Sequence, residues 1–160
     1  MIISEQKFNQ ALEKAEIEYK AIGKVKCPYL NNEDVHFNAE GFQHIFYKRG
    51  TIKREKDDQY VRLCLLPLAK KVVSRSHTLQ QFYEENRFER VQSNSQWKSE
   101  MKLVKYYAFI AIINNALVKV IVKEIQGRNK NFYSIIPKWH VNEKNGQKKK
   151  VLHTGNPEED

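Results

Sequence analysis

Two of the five histidines, His36 and His44, precede a set of cations that includes Lys48, Arg49 and Arg62, and strand-borne hydroxyls such as that of Ser134 come later. Imidazole moves protons near neutral pH, guanidinium and ammonium groups hold phosphate oxygens, and a hydroxyl donates to an oxyanion. Together these are the parts of metal-free RNA cleavage. There the ribose 2′-hydroxyl attacks the adjacent phosphorus, a base takes one proton, an acid gives one to the leaving oxygen, and cations hold the pentacovalent phosphate. Rival chemistries lack their motifs: the chain has no glycine-rich phosphate loop, no HExxH, no GxSxG and no carboxylates clustered around histidine. Cys27 and Cys64 are the only cysteines, without a CxxC or Cys/His cluster, so neither a disulfide framework nor a zinc site is expected. Cys64 lies in the apolar run Leu63 to Leu66 and Cys27 precedes Pro28, which favours packing over nucleophilic roles for both.

The 28 Lys and Arg outnumber the 19 Asp and Glu among 160 residues, a net charge of +9, and 41% of the chain is hydrophobic. That suits one folded domain over 1–140, with a polar, flexible tail over 141–160. The charge favours polyanionic partners, nucleic acid first, because phosphate neutralisation releases counterions. It is the wrong sign for an antitoxin that must bind a basic target. The bland alternative for Lys148, Lys149 and Lys150 is solubility alone. The start of the chain has no signal-peptide pattern, and the longest apolar run, Tyr106 to Ile113, is less than half of the ~20 residues a membrane-spanning helix needs. A reducing cytoplasm and no membrane contact are expected.

The elements that must position these groups follow from periodicity. Ser4 caps a helix in which Phe8, Leu12, Ala15, Tyr19 and Ile22 recur at intervals of four, three, four and three, with Gly23 at its end. Two short strands or a ribbon fit Lys24 to Phe37. Asn38 is placed to cap a helix from about Ala39 to Arg49, stopped by Gly50, with Phe42, Ile45, Phe46 and Arg49 on one stripe and Glu40, His44 and Lys48 on another that meets solvent or a cleft. A third helix runs from Asp57 to about Val73, kinked or restarted at Pro67. Thr78 to Gln81 has capping-box spacing, so a short helix with Phe82 and Tyr83 is expected, then a loop over Asn86 to Lys102. Three strands in an antiparallel meander close the domain: Val104 to Ile113, Ala116 to Ile125 and Asn131 to Trp139. Lys119 and Lys123 suggest a wet face there, while Leu117 to Val122 reads as buried on both sides. Helices first and a sheet second make an α+β plan.

The segment Val35-His36-Phe37-Asn38-Ala39-Glu40-Gly41-Phe42-Gln43-His44-Ile45, the helix with Arg62-Leu63 and Leu65-Leu66, and the closing Asn131-Phe132-Tyr133-Ser134-Ile135-Ile136-Pro137 resemble the phage-associated branch of the barnase/EndoU/colicin/RelE-like (BECR) ribonuclease superfamily, over roughly Lys24 to Trp139. In that branch a helix after a short strand bears a His-Ile pair, a second His or a basic residue follows, and the last strand carries Thr or Ser before an aromatic residue or proline. The resemblance places these features on His44, on Lys48 or Arg49, and on Ser134. It implies a metal-independent endoribonuclease of toxin or phage-effector type without a cofactor. RNA is the expected partner, and a cognate acidic inhibitor protein is one it allows. His44 would act in proton transfer, Arg62 with Lys48 or Arg49 would stabilise the phosphorane, and Ser134 would contact phosphate. Tyr107 and Tyr133 are candidates for stacking on bases, with His36 and Lys119 as further nucleic-acid contacts. The chain departs from the pattern in lacking a second histidine shortly after His44; His36 and His140 are the candidates for that imidazole. The alternative is a non-catalytic nucleic-acid-binding or protein-interaction domain on the same fold.

Overall fold

The computed structural model describes residues 2–137, 140–141, 148–149 and 157. The first helix, α1 (Glu5–Ile22), forms as its periodicity requires: the Ser4 hydroxyl accepts from the Lys7 amide at 3.2 Å, and Ala15 and Tyr19 are buried. A ribbon of β1 (Lys24–Cys27) and β2 (Glu33–His36) follows, joined by a single 3-10 turn at Pro28–Leu30 with Asn31 and Asn32 in the left-handed region.

The second helix is shorter than its sequence stripe suggests. α2 spans Ala39–Gln43, and the chain then folds into a small hairpin of β3 (Tyr47–Lys48) and β4 (Ile52–Lys53). Arg49 and Gly50 both take positive φ, and the Phe46 carbonyl accepts from the Arg54 amide at 2.8 Å, so tertiary pairing replaces the expected helical turns. The Phe42 and Phe46 rings still meet edge-on, as their spacing of four demands.

α3 (Lys56–Arg75) runs unbroken through Pro67. Leu63, Leu66, Ala69, Val72 and Val73 are buried along it, and that packing outweighs the lost backbone bond at the proline. Cys64 sits between two of these positions and faces outward, exposed, whereas Cys27 is buried as expected.

The region expected to be a short helix and a polar loop is instead a long hairpin of β5 (Gln81–Ser93) and β6 (Gln96–Ile113). Thirteen residue pairs join the two strands, and burial alternates along β5 with a period of two. Asn94 and Ser95, both at positive φ, make the tight turn that right-handed strand twist requires. β7 (Ala116–Ile125) and β8 (Lys130–Pro137) complete the antiparallel run, close to the bounds expected from composition, and Asn114-Asn115 supplies another positive-φ turn.

The protein is therefore α+β, with a mixed six-stranded sheet in the order β1-β2-β8-β7-β6-β5. Only the β2/β8 contact is parallel within that sheet. Strands interleave with the N-terminal helices, so the plan is not simply helices followed by a sheet. One sheet face packs under α3 and α1 around Phe109, Val118, Val120, Phe132 and Ile135; a second cluster on the opposite face joins Val104, Tyr106, Ile121 and Tyr133. β7 is buried on both faces, and this includes Lys119 and Lys123, which correct the expectation of a wet face. Two further short strands, β9 (His140–Val141) and β10 (Lys148–Lys149), pair with each other. Trp139 and the rest of the tail, apart from those two strands and residue 157, lie outside the described residues. Among the described residues no helix is long and apolar enough to cross a membrane.

Candidate active site

The site is built where α2 meets β8. The Asn38 side chain caps α2 by accepting from the Gly41 amide at 3.2 Å, and the Tyr19 hydroxyl donates to the Asn38 carbonyl at 2.6 Å. Burial, with the Glu40 carboxylate nearby, pushes the Tyr19 phenol far above its ordinary value, so it remains a donor. At Gly41 a side chain would place Cβ 2.5 Å from the Phe132 carbonyl oxygen, and only glycine allows α2 to lie this close to β8. One residue past α2, His44 is delivered to the sheet with 7% exposure.

β8 contributes an irregularity at the same place. Ile121 pairs with Ser134 and Val122 with Phe132, leaving Tyr133 as the extra residue of a bulge. Bulges re-aim side chains. Here the Tyr133 ring packs against the His44 ring, centroids 4.3 Å apart and planes tilted by 32°, and the Ser134 hydroxyl accepts from Arg62 of α3.

Behind His44 lies a chain of polar groups, its guanidiniums buried and its carboxylate, Asp58, about one-third exposed. Arg54 Nε donates to the His44 carbonyl at 3.0 Å, its Nη2 lies 3.4 Å from His44 Nε2, and its Nη1 reaches Asp58 at 3.5 Å. The other Asp58 oxygen accepts from Arg62 Nε at 2.8 Å. Arg62 Nη1 donates onward to Ser134 Oγ at 3.3 Å and to the Ile135 carbonyl at 3.0 Å. Buried guanidinium groups persist only with such partners. His44, Arg62 and Ser134, singled out from sequence, are thus joined by two residues that were not, Arg54 and Asp58. Their spacing, Arg54, Asp58, Arg62 at intervals of four, was the available signal.

In front of His44 opens a hollow of about 450 Å3. Glu40, Gln43, His44, Tyr47, Arg49, Gly50, Arg87, Glu89, Lys123 and Tyr133 line it. Lys123 is held at 7% exposure, its Nζ 3.2 Å from Glu40, 4.9 Å from the Tyr133 ring and 5.8 Å from the Tyr106 ring. Arg87 donates to the Tyr106 hydroxyl at 3.2 Å. Arg87 and Glu89 reach the hollow from β5, a strand whose sequence reads as helix and loop.

Other sequence candidates fall elsewhere. Lys48 is half-buried in β3 and does not line the hollow. Lys119, 2% exposed, borders a separate hollow with Tyr83, Tyr106 and Pro157. Tyr107 belongs to the helix-side cluster, and its hydroxyl donates to Glu124 at 2.9 Å. His36 points into a different hollow of about 350 Å3 beside Asp34, Arg128 and Lys130. The His140 side chain is outside the described residues. Among the described residues, no group of three His, Cys, Asp or Glu side chains is placed to share a metal ion.

No protein-family model, curated protein or solved structure matches the chain.

Proposed function

We propose that the protein is a metal-independent endoribonuclease of toxin or phage-effector type, built on a BECR-like fold and acting on RNA in the cytoplasm. The observation that carries this reading is one imidazole held on Tyr133 at the floor of a hollow, with Arg49, Arg87 and Lys123 around it. Three cations against the carboxylates of Glu40 and Glu89 suit a phosphodiester. His44 takes the 2′-hydroxyl proton as the 2′ oxygen attacks phosphorus, and the cations hold the charge that grows on the phosphorane. Arg62 acts from behind: through Ser134 and the Ile135 carbonyl it fixes the strand that carries Tyr133. Ser134, 2% exposed and absent from the lining of the hollow, serves with Arg62 as a support for that strand rather than as a phosphate contact. A cognate acidic inhibitor that covers the hollow would have matching charge.

The test is incubation of purified protein with total RNA in the presence of a chelator, beside His44→Ala. Cleavage by the wild type alone is the expected result. Salt-dependent RNA binding without cleavage, equal in both proteins, would assign the chain to nucleic-acid binding instead.

A further inference from the structure

Cleavage by 2′-hydroxyl attack needs a proton donor for the leaving 5′ oxygen as well as a base, and among the described residues no second imidazole lines the hollow. His36 lies in another hollow, beside Arg128 and Lys130. Three cations do face the site: Arg49, Arg87 and Lys123. A guanidinium holds its protons too tightly to give one up readily, whereas an ammonium can transfer one. Lys123 is also the most tightly placed of the three. The lysine is 7% exposed, its Nζ lies 3.2 Å from Glu40 and approaches the faces of two tyrosine rings. One of those rings is Tyr133, against which His44 packs. An imidazole and an ammonium therefore flank a single aromatic ring at the floor of the hollow.

Resting on the nuclease reading, we infer that Lys123 is the proton donor to the leaving group. As the P–O5′ bond breaks, the 5′ oxygen takes a proton from Lys123 Nζ, leaving a neutral amine and a 2′,3′-cyclic phosphate; the proton lost by the 2′-hydroxyl rests on His44. Water then returns a proton to Lys123 and removes one from His44.

The experiment compares wild type, Lys123→Arg and Lys123→Met on two RNA oligonucleotides, one with ordinary linkages and one with a 5′-bridging sulfur at the cut site. A thiolate leaves without protonation. Lys123→Arg keeps the charge and its Glu40 partner, and thermal melting verifies that it folds. The expected result is a loss of about 10²-fold or more for Lys123→Arg on the oxygen linkage and a rate close to wild type on the sulfur linkage. Lys123→Met should follow the same pattern with an added loss on both. Equal losses on the two linkages, or none on either, overturn the donor role and leave the nuclease reading standing. A wild type that cuts neither substrate overturns both.

Discussion

Arg62 and Ser134, 72 positions apart in the chain, meet at 3.3 Å between Nη1 and Oγ, and the same guanidinium nitrogen also donates to the Ile135 carbonyl at 3.0 Å. This pair ties α3 to the bulged strand beneath His44. Removing Arg62 leaves the Ser134 hydroxyl and the Ile135 carbonyl without that donor and one Asp58 oxygen without its nearest cation. Arg62→Ala is therefore expected to cost about 3–5 kcal/mol of stability, and Ser134→Ala only about 1 kcal/mol, as read by denaturant unfolding. Similar small losses for both would mean that the guanidinium is not structurally engaged.

His44→Ala should lower RNA cleavage about 10²- to 10⁴-fold. The buried ring also packs on Tyr133, so a stability loss of about 1–3 kcal/mol accompanies it, and the assay belongs well below the melting temperature of the variant. Undiminished cleavage by a folded His44→Ala would remove the imidazole from the chemistry.

Gly41→Ala is expected to be damaging although helices favour alanine. Its Cβ would lie 2.5 Å from the Phe132 carbonyl oxygen, 2.7 Å from Phe132 Cδ1 and 2.8 Å from the Tyr19 hydroxyl. The backbone oxygen cannot rotate away, so α2 must shift, at about 1–3 kcal/mol. Differential scanning calorimetry would show a lowered midpoint, and cleavage should fall because His44 moves with α2. An unchanged midpoint would contradict the close approach.

The Glu33, Lys130 and Glu124 cluster gives two pH windows. Burial pushes Glu124 upward, but hydrogen bonds from Lys130 and Tyr107 and the Lys130 charge outweigh it and hold the carboxyl below its ordinary value. Its contribution is therefore present above the ordinary carboxylate pKa of about 4.3 and disappears as pH falls through the depressed value. Burial pushes Lys130 downward, but Glu124 and Glu33 outweigh that and raise it. Its contribution is full below the ordinary lysine pKa of about 10.4 and fades as pH rises through the raised value. Urea unfolding across pH should show wild type exceeding Glu124→Gln by a constant margin near neutrality that closes in acid. A margin that grows as pH falls would have the wrong sign.

Ser95→Gly should stabilise the β5/β6 hairpin. Ser95 sits at φ 63°, after Asn94 at φ 51°, and glycine occupies that region without strain. A gain of about 0.5–1 kcal/mol is expected, against a loss for Ser95→Val, both measured by thermal unfolding.

How much of this was legible in the sequence varied with the strength of the local signal. α1 and α3 carry helical apolar stripes long enough to survive any context, and β7 and β8 are rich in branched and aromatic residues. β5 was hidden because its alternation is mostly charged: Glu84, Glu85, Arg87, Glu89 and Arg90 read as polar loop until β6 is laid beside them. α2 looked longer because Phe42 and Phe46 keep helical spacing in a chain that has already turned toward Arg54. Of the residues singled out in the sequence, His44, Arg49 and Tyr133 line the hollow; Arg62 and Ser134 lie buried behind it, linked to His44 through Arg54 and Asp58 and not placed to hold a phosphate there; and Lys48, Lys119, Tyr107 and His36 lie elsewhere. The sequence does not mark Arg54, and it places Lys123 on a wet face, for a common reason: a cation in sequence is assigned to water by default, and only the fold shows which carboxylate and which rings surround it.

The most direct measurement of the central claim is the product end formed from one defined oligoribonucleotide incubated with the protein in excess chelator, beside an all-deoxy oligonucleotide of the same sequence. Attack by the ribose 2′-hydroxyl predicts a 2′,3′-cyclic phosphate on the upstream RNA fragment and an intact deoxy strand. Cleavage of the deoxy strand, or an RNA product bearing a 5′-phosphate, would contradict the account.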